Sequence, residues 1–145
     1  MSERPRLSEH IRQRTKEWFR KAEHELTFLE AAPFDIDDPP TDTACRLAHM
    51  AAEYSLKAYL VLTKQKIEKT HQLSDILNLC IATSQDQSFE ILREDCIELT
   101  KYKIEMTYPG PLPEEIGVAE ARQAIERARR IKNFILNKAK ELGYF

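Results

Sequence analysis

Glycine and proline are scarce, with 3 and 7 of them in 145 residues. A β-sandwich or barrel turns every ~8–12 residues and draws on these two residue types to do so. An all-β fold is therefore excluded and helices are expected. Cysteine is scarce too. Cys45, Cys80 and Cys96 are odd in number, widely spaced and free of any C-x-x-C pair, which excludes a disulfide framework or zinc knuckle and suits a reducing cytoplasm. Long apolar runs are missing. The longest, Ala58-Tyr59-Leu60-Val61-Leu62, falls far short of the ~20 residues that span a bilayer. The polar start lacks the apolar centre of a signal peptide, so a soluble cytoplasmic protein with no membrane partner is expected. No charge sign dominates either: a net charge of −2 argues against wholesale electrostatic capture by nucleic acid or an anionic membrane. The 4 histidines show no H-E-x-x-H or comparable spacing, and glycine-rich phosphate loops, nucleophile elbows and paired-carboxylate motifs are absent. Neither metal nor cofactor is expected, and no residue is assigned as catalytic.

What the chain has is apolar material, 42% beside 32% charged residues, enough for one folded domain over residues 1–145. Arg4, Arg6, Arg12, Arg14, Lys16, Arg20 and Lys21 outnumber Glu3, Glu9 and Glu17. Residues 1–13 are accordingly expected to form a flexible basic arm, at most a weak anchor for RNA phosphates.

Helical spacing then recurs along the chain. Trp18, Ala22, Leu26 and Leu29 place a first helix over Arg14–Ala32, and the breakers between Pro33 and Pro40 end it. A second helix, about Thr41 to Lys64, is capped by Thr41 or Asp42 and apolar around most of its circumference, hence central. Thr70 is the expected N-cap of a third helix that carries Leu73, Ile76, Leu77 and Cys80. Phe89, Leu92, Cys96, Leu99 and Lys103 define a fourth, stopped before Tyr108-Pro109-Gly110-Pro111. The last begins between Pro113 and Val118 and runs to Leu142, with Gly143 as its C′ residue. The expected fold is an all-α, single up-and-down bundle of about five helices.

Candidate site residues follow from these placements. Arg46, His49, Glu53 and Lys57 form the polar stripe of the second helix and project together toward water, a partner subunit or a ligand. Glu53 and Lys57 also suit an intrahelical ion pair. Lys69, Thr70 and His71 stand where a loop enters a helix, so exposed amides, a lysine and a histidine make an anion site there. Tyr102 and Tyr108, beside Lys101 and Lys103, have the arrangement that stacks on bases in single-strand binders, and equally the place near a helix end where a tyrosine packs its ring inward and keeps its hydroxyl wet. Arg127, Arg129, Arg130 and Lys132, interspersed with glutamates, are expected to form a solvated face.

Several segments together resemble one family. Trp18-Phe19-Arg20-Lys21-Ala22-Glu23-His24-Glu25-Leu26 is similar to the opening helix of HEPN domains, the nucleotide- and nucleic-acid-associated helical bundles of bacteria and archaea. Ala51-Ala52-Glu53-Tyr54-Ser55-Leu56-Lys57-Ala58-Tyr59-Leu60 resembles their central helix, Lys69-Thr70-His71-Gln72-Leu73 their K-T-H-D-L segment, and Tyr102 through Tyr108-Pro109 the stretch that closes their fourth helix. The resemblance implies a HEPN-like bundle that pairs its central and fourth helices into a homodimer and binds nucleotide or RNA in the dimer cleft. It also implies work beside a minimal nucleotidyltransferase in a toxin–antitoxin or stress system. Thr107-Tyr108-Pro109 stands where relatives read R-Y-P, and the arginine-to-histidine spacing of ribonuclease members occurs only at Arg4 to His10. Strong intrinsic catalysis is therefore not expected. Two alternatives stay open: a metal-independent endoribonuclease using Arg46, His49 and Lys57, since RNA cleavage needs a base and a fixed cation, and a dimerisation adaptor without ligand.

Overall fold

The computed structural model describes residues 7–63, 69–70, 72–105 and 115–144, with side chains as far as Tyr102 in the third of these stretches. Ser8 accepts a hydrogen bond from the Ile11 amide at 3.1 Å and so starts α1, Glu9–Glu30, with Glu9 suitably placed in the first turn. The helix thus begins within the segment expected to be a flexible arm, and residues 9–13 are helical. A side-chain cap fixes that boundary, and the apolar periodicity from Trp18 onward does not reveal it. α1 ends at Ala31, just before Pro33, whose ring nitrogen has no proton to donate.

After a left-handed Asp38, α2 covers Thr41–Leu62. Thr41 does not cap it as expected. Its hydroxyl donates instead to the Ile116 carbonyl at 2.7 Å, tying the start of α2 to the approach to the last helix. α3 covers Leu73–Ser84, entered through Gln72, so the expected Thr70 cap is also displaced. The Thr70 hydroxyl accepts from the Gln72 amide at 3.2 Å, a local turn just outside the helix. Gln85, left-handed, closes α3, and Asp86 caps a 3₁₀ turn, Gln87–Leu92, that continues directly into α4, Arg93–Glu105. α5 covers Val118–Glu141 and ends in the expected manner: Gly143 takes a φ of 82°, its amide donates to the Lys140 carbonyl, and the Tyr144 amide donates to that of Ala139. The described residues hold helices and turns and no strand.

α2 is the axis of the bundle, packed by α1, α5, α3 and α4. Its alanines explain how. Ala48, Ala51, Ala52 and Ala58 are all fully buried and present only methyl groups, so neighbouring helices approach closely on several sides. α5 contributes the same kind of face through Ala121, Ala128 and Ala139, with Ile131 and Ile135 filling between them. Phe89 is fully enclosed, edge-on to Tyr59 at 5.1 Å and to Phe134 at 5.2 Å. Its burial contributes about 1.5–3 kcal/mol and anchors the 3₁₀ turn to α2 and α5. At the other end, Arg12 donates to the Tyr144 carbonyl at 2.7 Å and Phe19 meets the Tyr144 ring at 5.4 Å. The tail after α5 is thus clasped to α1.

Candidate functional site

The polar stripe of α2 does not face water within the chain. His49, Glu53 and Lys57 are 0%, 6% and 6% exposed, while Arg46 is half-buried. Periodicity correctly puts them on one face, but α1 packs along α2, and Trp18 and Tyr54 meet at 5.8 Å over this part of it. The intrahelical pair forms as expected, Lys57 Nζ to Glu53 Oε2 at 3.0 Å, with the Lys57 ammonium also 5.8 Å from the Trp18 ring. His49 Nδ1 lies 3.9 Å from the other Glu53 oxygen. Arg46 acts on α1: burial raises the pKa of Glu25 and the Arg46 charge partly offsets the rise. Of this stripe, Arg46 is the member that reaches the surface.

Lys69 is exposed. His71 and Tyr108, together with the side chain of Lys103, lie outside the described residues. Tyr102 is 4% exposed, and its hydroxyl donates to Glu120 Oε1 at 2.9 Å. Burial and that bond to an acceptor both push its pKa up. Its ring therefore serves the α2–α4–α5 packing: of the two readings of Tyr102 the inward-packed ring holds, and the base-stacking placement is corrected. The cause is the Glu120 carboxylate, which holds the hydroxyl while the ring turns inward.

The expected solvated face of α5 is also corrected. Arg127 Nη1 donates to Asp95 Oδ1 at 2.8 Å, and Arg130 forks onto the same carboxylate with Nε to Oδ2 at 3.1 Å and Nη2 to Oδ1 at 2.8 Å. Asp95 is 5% exposed. Two guanidinium groups thus converge on one buried carboxylate in charge-assisted bonds. The bond to Asp95 is also the main cause that raises the Arg130 pKa above its ordinary value. Arg129 pairs with Glu126 and with Glu30, and Lys132 with Glu23, so they brace α5 against itself and against α1.

A groove of about 530 Å³ opens over the Asp95 cluster, between the 3₁₀–α4 segment and α5. Ile91, Leu92 and Phe134 supply apolar walls, and Arg127, Arg130 and Asn133 supply donors, with Glu94 also lining it. The volume is in the range of small-molecule sites, and apolar walls with a few converging polar groups are their usual lining. Sequence reasoning missed this site because Asp95 and its arginines lie 32 and 35 residues apart. One signal was available: Asp95 sits three residues after Leu92 and next to Cys96, on the apolar stripe of its helix, where a carboxylate requires a buried partner. Among the described residues no group of three His, Cys, Asp or Glu is placed to hold a metal ion, and no helix is long and apolar enough to cross a membrane.

Comparison with known proteins fits this architecture. The crystal structure of TT1696 from Thermus thermophilus superposes with a TM-score of 0.69 at 26% identity, over 86% of this chain and 98% of that one. No curated protein matches. The HEPN domain model matches residues 15–139, from within α1 nearly to the end of α5. Five helices in this order, the central alanine-rich α2 and that match together place the chain in the HEPN domain family.

Proposed function

We propose that the protein is a HEPN module that associates with nucleotide or RNA as a homodimer, without strong catalysis of its own, beside a minimal nucleotidyltransferase in a toxin–antitoxin or stress system. Family membership supports the association with nucleotide or RNA. The observation that carries the binding reading over the cleaving one is the burial of His49. Cleavage through a 2′-hydroxyl needs a base within hydrogen-bond reach of that proton. His49 is fully enclosed, and the Lys57 that would serve as cation is held by Glu53. For the dimer, Ile97 is 56% exposed on α4, a large apolar side chain that an isologous contact would cover.

Two measurements test the reading. Incubation with labelled RNA in the presence of chelator, with and without the partner, should show binding and little or no cleavage by the protein alone. Robust metal-independent cleavage that His49→Ala abolishes would overturn it in favour of an endoribonuclease. Sedimentation at low micromolar concentration should show a dimer that Ile97→Lys splits. A species of 16.9 kDa alone would remove the homodimer.

A further inference from the structure

We infer that the groove between the 3₁₀–α4 segment and α5 is the ligand site, binding the phosphate of a nucleotide through Arg127 and Arg130 and its base against Phe134 and Ile91. The inference rests on the reading of the chain as a nucleotide-associated module and assigns that role to residues on α4 and α5.

The argument starts from the arginines. A guanidinium carries five N–H donors. Arg127 uses one atom, Nη1, and Arg130 uses Nε and Nη2 on Asp95. Among the described residues, Arg127 Nε and Nη2 and Arg130 Nη1 make no other hydrogen bond, and both side chains line the groove. Two like charges this close repel and would splay apart without a counter-ion. Asp95, buried and bonded to both, fixes them while using only part of their donor set; with Glu94 also on the wall the lining is close to neutral overall, so recognition rests on the directed N–H donors and not on net charge. A planar fork of donors with spare N–H groups matches a tetrahedral oxyanion. Asp95 is thus a positioning residue, analogous to the outer-shell carboxylates that orient metal-binding histidines.

The walls choose among oxyanions. Phe134 is half-buried, its ring steadied edge-on by Phe89 and capped by the Lys138 ammonium at 5.5 Å. Ile91 is largely exposed at the groove's edge. Inorganic phosphate alone leaves these surfaces wet, whereas a flat base covers them, and base–aromatic contact is sequence-tolerant. The shared chemistry is a nucleoside phosphate, whether free or part of an RNA strand.

The test is fluorescence anisotropy with a fluorescent ATP analogue and with a short labelled oligouridylate, on the full chain. Arg130 is more than half exposed on its side chain, so Arg130→Ala should leave the fold intact while weakening binding at least ~10-fold, the scale of one lost charge-assisted contact. Arg130→Lys should recover only part, because an ammonium lacks the fork. Arg129→Ala, one residue along α5 but paired with Glu126 and Glu30, should bind as the wild type does. With one or two phosphates engaged, the log–log salt slope for the single-stranded oligouridylate should be shallow, about −0.7 to −1.4. In the wild type, the Arg130 Nε–H resonance should shift on titration, a readout that needs no variant. Tight binding of the ATP analogue marks a free nucleotide as the source, and binding of the oligouridylate alone marks an RNA strand.

Wild-type affinity in Arg130→Ala, an equal loss in Arg129→Ala, or Arg130→Ala weakening self-association rather than binding would each remove the groove and leave the proposed function standing. Failure of the wild type to bind either probe would remove both.

Discussion

Replacing Lys57 by methionine tests whether the polar stripe of α2 is closed to solvent. The side chains of Lys57 and Glu53 are 8% and 7% exposed and their charged atoms are 3.0 Å apart. At a surface such a pair contributes no more than ~1 kcal/mol. Inside a protein, removing one partner strands the other charge and costs about 3–5 kcal/mol. Methionine keeps most of the lysine stem, so packing against Trp18 changes little and the charge dominates the result. We expect a loss of about 3 kcal/mol, the low end, because both groups keep some contact with water. In urea, with a slope of ~1–3 kcal/mol/M, the midpoint should fall by about 1–3 M at a fixed protein concentration. The chain has 1 tryptophan, Trp18, and it lies over Lys57, so its fluorescence reports the transition locally. Adding Glu53→Gln to Lys57→Met removes the carboxylate that has lost its ammonium partner and should recover at least ~1.5 kcal/mol. A loss below ~1 kcal/mol for the single variant would show that water reaches this face. No recovery in the double variant would assign the cost to packing on Trp18.

Other outcomes follow from the geometry. Asp86, which accepts from Lys138 at 2.8 Å and from the Ser88 amide at 2.9 Å, is held down to about 2, chiefly by Lys138. Because this folded-state pKa is depressed, the stabilisation is complete above pH ~4 and fades as pH falls toward 2; Lys138→Met should move the Asp86 carboxyl back up, as read by carboxyl carbon NMR, and an unmoved value refutes the assignment. Tyr102→Phe should cost about 1–3 kcal/mol by thermal melt, through the lost bond to Glu120, while leaving oligouridylate binding unchanged. Cys45, Cys80 and Cys96 are free and buried, and burial raises all three pKa values, to about 12 for Cys45 and Cys96, so native protein should react with a disulfide reagent only as fast as it opens; rapid reaction of even one thiol contradicts the packing.

Helix positions were legible because apolar spacing is a local property. Leu73, Ile76, Leu77 and Cys80 declare the buried face of α3, and Gly143 declares the end of α5, from neighbours a few residues away. The fate of the α2 stripe was not legible in the same way. Spacing shows that Arg46, His49, Glu53 and Lys57 share a face, but whether that face is covered depends on where α1 lies, which is set by the connection through residues 31–40 and by Trp18 packing on Tyr54. The candidate groove was harder still. Arg127 and Arg130 are unremarkable in a helix rich in alternating charges, and they acquire meaning only when α4 brings Asp95 beneath them. Capping chemistry explains the remaining differences: Ser8, Thr41 and Thr70 are all competent caps by type, and only Ser8 is used as one.

The clasp between α1 and the tail after α5 bears on how the chain folds as it is made. Arg12 and Phe19 belong to α1, yet their partner Tyr144 emerges about 130 residues later, at rates of ~5–20 residues per second a delay of many seconds. Throughout that interval α1 can dock on α2, its sequence neighbour, but the Phe19 edge stays open to solvent and to other nascent chains. The clasp thus closes only after every helix of the bundle has emerged, and the interval before it closes is when a slowed ribosome or a missing chaperone does the most harm.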